Sequence, residues 1–327
     1  MRVGFDVSPR AQTKAGTARV VDGLLGALAG RPDLDVVPLG FGGGGRLTAA
    51  VRDAVWYPFG VARAARGLDL LHCTTFRGPV SRGLGRSRVP VVVTVHDLAL
   101  LRHPEAFRPW HRTTGQLALR SAVRAADAIV AVSEFTRDEL VDLLGVPEER
   151  IRVVRNGVEP IFSAGGPRAE GDYVLAVGTL EPRKNLARVV EAARLAGVDL
   201  RVVGAAGWGG EDVPGWVGRV PDEELARLYR GARCVLYASL YEGFGLPVLE
   251  AMASGVPVVT SRGGATEEVA GGAAVLVDPR DPQAIAAGVH EATRRRDELI
   301  PRGLDRAREF TWSAAADAVE KLWRELT

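Results

Sequence analysis

Cysteine is nearly absent from this chain: Cys73 and Cys234 are the two in 327 residues. Each falls in a short apolar run of a different half, so they read as buried free thiols in a reducing compartment, which weighs against a disulfide scaffold and a thiolate metal site. The five histidines show no zinc-ligand spacing. Long apolar runs are missing too, since none approaches the roughly 18 residues of a membrane span. Met1 to Val7 enters a strand pattern directly, where a signal peptide would place a basic start and an apolar stretch. A cytoplasmic, globular chain is the expectation. The loop from Ser8 to Arg19 carries neither G-x-G-x-x-G nor a Walker lysine pattern, which weighs against nicotinamide and P-loop readings. Asp33-Leu34-Asp35 has the spacing of a metal-binding pair but follows Gly30-Arg31-Pro32, a surface turn, so no metal is expected there.

What is present is ample core material, with 46% apolar residues at a length that favours two domains. The net charge of +2 hides an asymmetry: residues 1–160 hold 22 Lys and Arg against 16 Asp and Glu, a net +6, and the remainder 20 against 24, a net −4. Short apolar runs alternate with helical patterns throughout. They fall at Val3 to Val7, Val36 to Phe41, Leu68 to Thr74, Val89 to Val95, Ala128 to Ser133 and Ile151 to Val154. After a proline and glycine linker from Pro160 to Pro167 the rhythm restarts at Tyr173 to Gly178, Leu200 to Gly204, Trp216 to Gly218, Cys234 to Ala238, Pro257 to Thr260 and Ala274 to Val277. This predicts an α/β chain of two Rossmann-like, doubly wound domains, 1–162 and 163–308, with ligands at the carboxyl ends of the strands.

Three strand ends carry chemistry. The run Cys234 to Tyr237 leads into Glu242-Gly243-Phe244-Gly245-Leu246-Pro247-Val248-Leu249-Glu250, a glycine loop that opens a helix, with Pro247 suited to the first helical position. Glu242 is then on the loop and Glu250 on the helix, about 10 Å apart at 1.5 Å per residue, too far to share one proton or one metal. They read as two hydroxyl acceptors, and the N–H groups of the helix start as an anion site. Tyr173 to Gly178 runs into Thr179-Leu180-Glu181-Pro182-Arg183-Lys184-Asn185, placing Arg183 and Lys184 at a helix start, where cations are unfavourable until an anion arrives. A diphosphate held without a metal fits them. His96-Asp97 closes the run Val89 to Val95, and His96 reads equally as a sugar contact or a satisfied structural residue. In the early loop Gly16, Lys14 and Arg19 are candidates for a phosphate or the acceptor. Between His103 and Arg124 a basic set, Arg108, His111, Arg112, Arg120 and Arg124, reads as an ordinary helix face or as a contact for an anionic membrane or a phosphorylated acceptor.

Taken together these segments resemble the family-4 retaining glycosyltransferases of the GT-B fold, whose hallmark E-x7-E matches Glu242 to Glu250. Val177 to Asn185, Asn156-Gly157-Val158, Val132 to Thr136 and Asp222 to Leu225 are similar as well. The resemblance implies two domains facing across a cleft, the first on the acceptor side and the second binding the nucleotide sugar. Residues 309–327, opening on Phe310-Thr311-Trp312-Ser313, would cross back as a helix to the first domain. It implies Glu242 on the donor sugar's hydroxyls, Glu250 on the ribose, Arg183 and Lys184 on the diphosphate, and the backbone of Gly243, Phe244, Gly245 and Leu246 along sugar and phosphate. His96 would approach the sugar, Arg219 and Val220 the base, and Gly16 the donor. No cofactor and no metal are expected. The partners implied are a nucleoside diphosphate sugar and an acceptor that is a small molecule, a glycan or a lipid-linked sugar, with no nucleic acid and a peripheral membrane contact left open. A nucleotide-sugar epimerase, a phosphorylase and a non-catalytic nucleotide-sugar-binding subunit remain as alternatives. Two departures stand out: Thr179 occupies a position where many relatives carry arginine, and Gly16-Thr17-Ala18 replaces a pair of glycines.

Overall fold

Each of the apolar runs forms a parallel strand, with ends shifted by one or two residues. The computed structural model describes residues 1–12, 16–43, 45–79, 89–207 and 213–327, and contacts divide them into one unit of residues 1–157 with 311–327 and a second of residues 158–310. In the first unit β1 (Arg2–Asp6), β2 (Asp35–Leu39), β3 (Leu70–Cys73), β4 (Val91–Val95), β5 (Ala128–Ala131) and β6 (Ile151–Val153) lie in the order β2-β1-β3-β4-β5-β6. Val3 pairs with Val36 on one side and Leu70 on the other. Pro38 is tolerated because β2 is the edge strand, where one lost ladder donor faces no neighbour. In the second unit β7 (Tyr173–Val177), β8 (Asp199–Val203), β9 (Trp216–Gly218), β10 (Val235–Tyr237), β11 (Val258–Ser261) and β12 (Val275–Val277) run β12-β11-β10-β7-β8-β9. Strands covered on both faces read as continuous apolar runs, and β3, β5 and β11 are buried at every residue.

The order of each sheet reverses once, between β1 and β3 in the first unit and between β7 and β10 in the second. There successive crossovers leave to opposite sides and open a crevice beyond the strand ends. The helices that flank these points are fixed by local chemistry. Leu186–Ala196 and Pro282–Arg294 press Leu186, Val189, Ile285 and Val289 onto β7, β10 and β11 in one core, the second helix starting at Asp281, whose side chain accepts from the N–H groups of Gln283 and Ala284. Glu134–Leu144 is capped by Ser133 and stopped by Gly145 at φ 62°.

The last helix, Trp312–Leu326, packs on the helix Gly16–Leu28 in the first unit. Trp323 is fully buried, with its ring edge-on to Phe5 and its Nε1 donating to His72 Nδ1 at 3.2 Å. Arg31 adds ion pairs to Asp317 and Glu320. Two glycines make room: a Cβ on Gly23 would stand 2.2 Å from the Trp312 ring, and one on Gly157 2.3 Å from the Trp312 nitrogen. Both cysteines are buried and unpaired, with burial pushing the Cys234 thiol up to about 12. Asp33 sits in an exposed turn at φ 60°, and the exposed Asp35 pairs with Arg2. Among the described residues no helix is long and apolar enough to cross a membrane.

Candidate functional site

The second unit's switch point brings Arg183, Lys184 and Glu242 together. Beyond β7 the chain makes a 3-10 turn, Pro182–Lys184, and not the α-helical start expected for Arg183 and Lys184; the α-helix begins only at Leu186. Asn185 joins the two in the left-handed region at φ 60° and is 4% exposed. Its Nδ2 donates to the carbonyls of Ala238 and Pro279 at 2.9 and 2.6 Å, tying the turn to the end of β10. Leu240 N–H donates to the Arg183 carbonyl at 2.8 Å across the same gap. Two loops from adjacent strands are thereby held as one surface.

On it Lys184 Nζ donates to Glu242 Oε1 at 2.6 Å and to Tyr237 Oη at 2.8 Å, while Tyr237 Oη donates to the same Oε1 at 2.8 Å. Arg183 Nη1 donates to Glu242 Oε2 at 3.0 Å and its Nε to Glu181 Oε2 at 2.9 Å. Burial raises the Glu242 carboxyl, yet Lys184 and Arg183 overcome it and bring it to about 2. Burial lowers the Lys184 ammonium, and Glu242 opposes that shift. A carboxylate at 2.6 Å decides the matter, and the pair is ionic. Two cations and two carboxylates form a neutral cluster, so the anion that the cations at this strand end require is supplied from within, by Glu242 and Glu181. Glu181 and Tyr237 complete the cluster without a strong local sign in the sequence: Glu181 lies within Val177 to Asn185, and Tyr237 offers a hydroxyl at the last position of an apolar strand.

The remaining candidates spread out. Glu250 lies on the helix Leu246–Ala253, 2% exposed, its Oε2 accepting from Tyr229 Oη at 2.9 Å. Gly243 lies in the loop before it. Leu246 opens the helix and puts Pro247 at its second position, with Gly245 at φ 116° before it; a Cβ there would meet Thr266 at 3.0 Å. The Phe244 side chain packs edge-on against Phe310 and is 6% exposed. Arg219, exposed, and Val220, half-buried, follow β9 at the far edge of the sheet, two strands from β7.

In the first unit His96, just past β4, is half-buried, and its Nε2 donates to the Thr74 carbonyl at 2.8 Å. A carbonyl only accepts, so Nε2 carries the proton, and Nδ1 keeps its lone pair. Burial lowers the His96 pKa and keeps the ring neutral. Gly16 is the exposed first residue of its helix. Lys14 lies outside the described residues.

With this geometry in view, the chain matches the family model Glycosyl transferases group 1 over residues 158–299 and Glycosyltransferase Family 4 over residues 16–161. It is 34% identical to the O-antigen chain mannosyltransferase B of Escherichia coli over 68% of this chain, and spans 66% of that protein, just under two thirds. It is 30% identical to a D-inositol 3-phosphate glycosyltransferase of Acidothermus cellulolyticus, over 84% of this chain and 69% of the relative. Among solved structures, a sucrose-phosphate synthase from Thermosynechococcus elongatus aligns with TM-score 0.79 at 20% identity, covering 100% of this chain and 99% of its own. Anabaena HepE in complex with UDP-glucose aligns with TM-score 0.73 at 18% identity, covering 98% and 99%. These last two share the fold. Two six-stranded parallel sheets with this order, the two adjoining model matches and the sequence relatives make one assignment: the chain belongs to the family-4 glycosyltransferases of the GT-B type.

Proposed function

We propose that the protein is a retaining, metal-independent glycosyltransferase that moves a sugar from a nucleoside diphosphate sugar to an acceptor hydroxyl. The observation that carries this reading is the Arg183–Lys184–Glu242 cluster at the second unit's switch point. A diphosphate entering it takes over the two cations from Glu242, whose carboxylate then turns to the sugar hydroxyls. Arg183 and Lys184 stabilise negative charge as the bond from the sugar's anomeric carbon to the phosphate oxygen breaks. The acceptor oxygen bonds to that carbon on the same face through an oxocarbenium-like state, and its proton passes to the departing diphosphate. Glu250, buried beside Tyr229, takes the ribose hydroxyls, and His96 offers Nδ1 to a hydroxyl. No protein nucleophile and no cofactor are needed, because fixed cations supply the charge stabilisation a metal would otherwise give. The HepE complex with UDP-glucose supports a nucleotide-sugar donor, and the two mannosyl- and inositol-phosphate-directed relatives support a hydroxyl acceptor.

The test is release of nucleoside diphosphate and transfer of sugar from GDP-mannose, UDP-glucose and dTDP-hexoses in the presence of EDTA, with the product's anomeric configuration read by NMR. Transfer with retention is the expected result. Inversion, or activity that EDTA abolishes, contradicts the proposal.

A peripheral contact with an anionic membrane fits the first unit. Leu47, Val51, Val55 and Phe59 recur every four residues and are all exposed, Leu47 at 80%. The helix Pro109–Ala125 contains no acidic residue and exposes Trp110 and Leu117 beside Arg120 and Arg124. Cosedimentation with anionic vesicles and not with neutral ones, reduced by Trp110→Ser, is expected; equal recovery from both contradicts it.

A further inference from the structure

At the first unit's switch point the polar groups are not paired off. Asp6, at the end of β1, is fully buried. Its Oδ1 accepts from Ser8 N at 3.0 Å and Ser8 Oγ at 2.6 Å, and its Oδ2 has no partner. Ser8 Oγ in turn accepts from Phe41 N at 3.1 Å, and the Phe41 ring lies 5.7 Å from that of Trp56. The buried Nε1 of Trp56 has no acceptor. Arg52, four residues before it, is 6% exposed, its Nε is buried without an acceptor, and its charge reaches the Asp6 carboxyl. The neighbouring Asp53 does not serve it, being paired with Arg77. Six buried side-chain polar atoms lack partners among the described residues, and three of them fall in this one patch. Such atoms are nearly always hydrogen-bonded to protein, water or a ligand, so their concentration marks this patch as one that takes partners from outside the fold. Arg52 and Trp56 also stand on a nine-residue π-helical stretch, Arg52–Gly60, a geometry that is rare and recurs at functional sites.

We propose that Asp6, Arg52 and Trp56 form a subsite for a neutral, hydroxyl-rich sugar, the acceptor of the transfer. Hydroxyl groups donate and accept at once, which matches one waiting carboxylate oxygen and two waiting N–H donors. A phosphorylated or otherwise anionic group is disfavoured: the Asp6 carboxylate opposes the Arg52 guanidinium, so the pair offers an anion no net attraction. The subsite rests on the glycosyltransferase reading, and it names the chemical class of the acceptor.

The test is titration of the full chain with the methyl glycosides of mannose, glucose, galactose and N-acetylglucosamine, and with the corresponding sugar 6-phosphates, in excess UDP and GDP. At least one glycoside should bind saturably. Asp6→Asn should weaken it about tenfold or more and Trp56→Phe about threefold, the sizes of a charge-assisted and a neutral hydrogen bond. Sugar phosphates should bind no more tightly than the parent glycosides. The assignment is overturned if no glycoside saturates, if both variants bind as the wild type does, or if the phosphates bind much more tightly and lose that advantage in Arg52→Gln. Nucleotide affinity is measured in parallel on the same proteins. Its absence in the wild type removes the donor assignment, while the glycoside titration still decides the subsite.

Discussion

At the switch point of the second sheet, Arg183, Lys184, Glu181 and Glu242 neutralise one another; at that of the first, Asp6 and Arg52 sit buried without a hydrogen bond between them. The two conditions suit different ligands. On the proposed roles, a diphosphate brings its own charge, so cations that are to hold it need an internal anion to release, since unpaired they would be costly to bury. A neutral sugar brings only hydroxyls, and a site for it can leave single donors and acceptors waiting at a bearable cost. The first arrangement contributes to stability in the free protein, and the second detracts from it.

Substitutions should therefore act with opposite sign at the two points. Glu242→Ala leaves two cations without their shared carboxylate and should cost about 3 to 5 kcal/mol in denaturant unfolding; a loss below about 1 kcal/mol would mean the cluster is not coupled. Lys184→Ala should cost about 2 to 4 kcal/mol of transition-state stabilisation, read as a fall in kcat/KM, and near-normal turnover removes Lys184 from the reaction.

In the first unit the effect of acid runs through His72, fully buried, its Nε2 donating to Thr94 Oγ1 at 2.8 Å while Nδ1 accepts from Trp323. Burial, with a smaller contribution from His96, lowers its pKa from 6.5 to about 3. Between those values the unfolded chain binds the extra proton, so stability falls as the pH drops through that window, by up to about 1.4 kcal/mol per pH unit. His72→Asn should flatten that slope between pH 6.5 and 4.5, and an unchanged slope contradicts the assignment. Asp6→Asn carries the opposite sign. Burial raises the Asp6 carboxyl from 3.8 to about 6, so the folded state pays for its ionisation in full above pH 6 and not at all below pH 3.8. The variant should gain up to about 3 kcal/mol at pH 8 and nothing at pH 3.5; a loss at pH 8 would make Asp6 an ordinary structural residue.

The strands were legible because a parallel strand covered on both faces is apolar along most of its length, as Ala128–Ala131 and Tyr173–Val177 are. The Arg183, Lys184 and Glu242 positions were legible because they border such strands within a few residues. The work of Asn185 is hidden in the sequence, since neither its positive φ nor its two carbonyl partners 53 and 94 residues away can be read locally. Tyr237 looked like core, being one more large side chain in an apolar run. Arg52 and Trp56 gave no signal at all: a π-helical stretch breaks the 3.6-residue period on which helix reading depends, and their relation to Asp6 exists only across the sheet.

The most direct measurement is the affinity of the full chain for nucleoside diphosphate sugars, taken by calorimetry on the wild type and on an Arg183→Ala, Lys184→Ala double variant. The double variant should bind at least about a hundredfold more weakly, the loss of two charge-assisted contacts, while still unfolding cooperatively. Equal affinity in the two proteins would show that the diphosphate is held elsewhere and that the paired cluster of the second unit is structural.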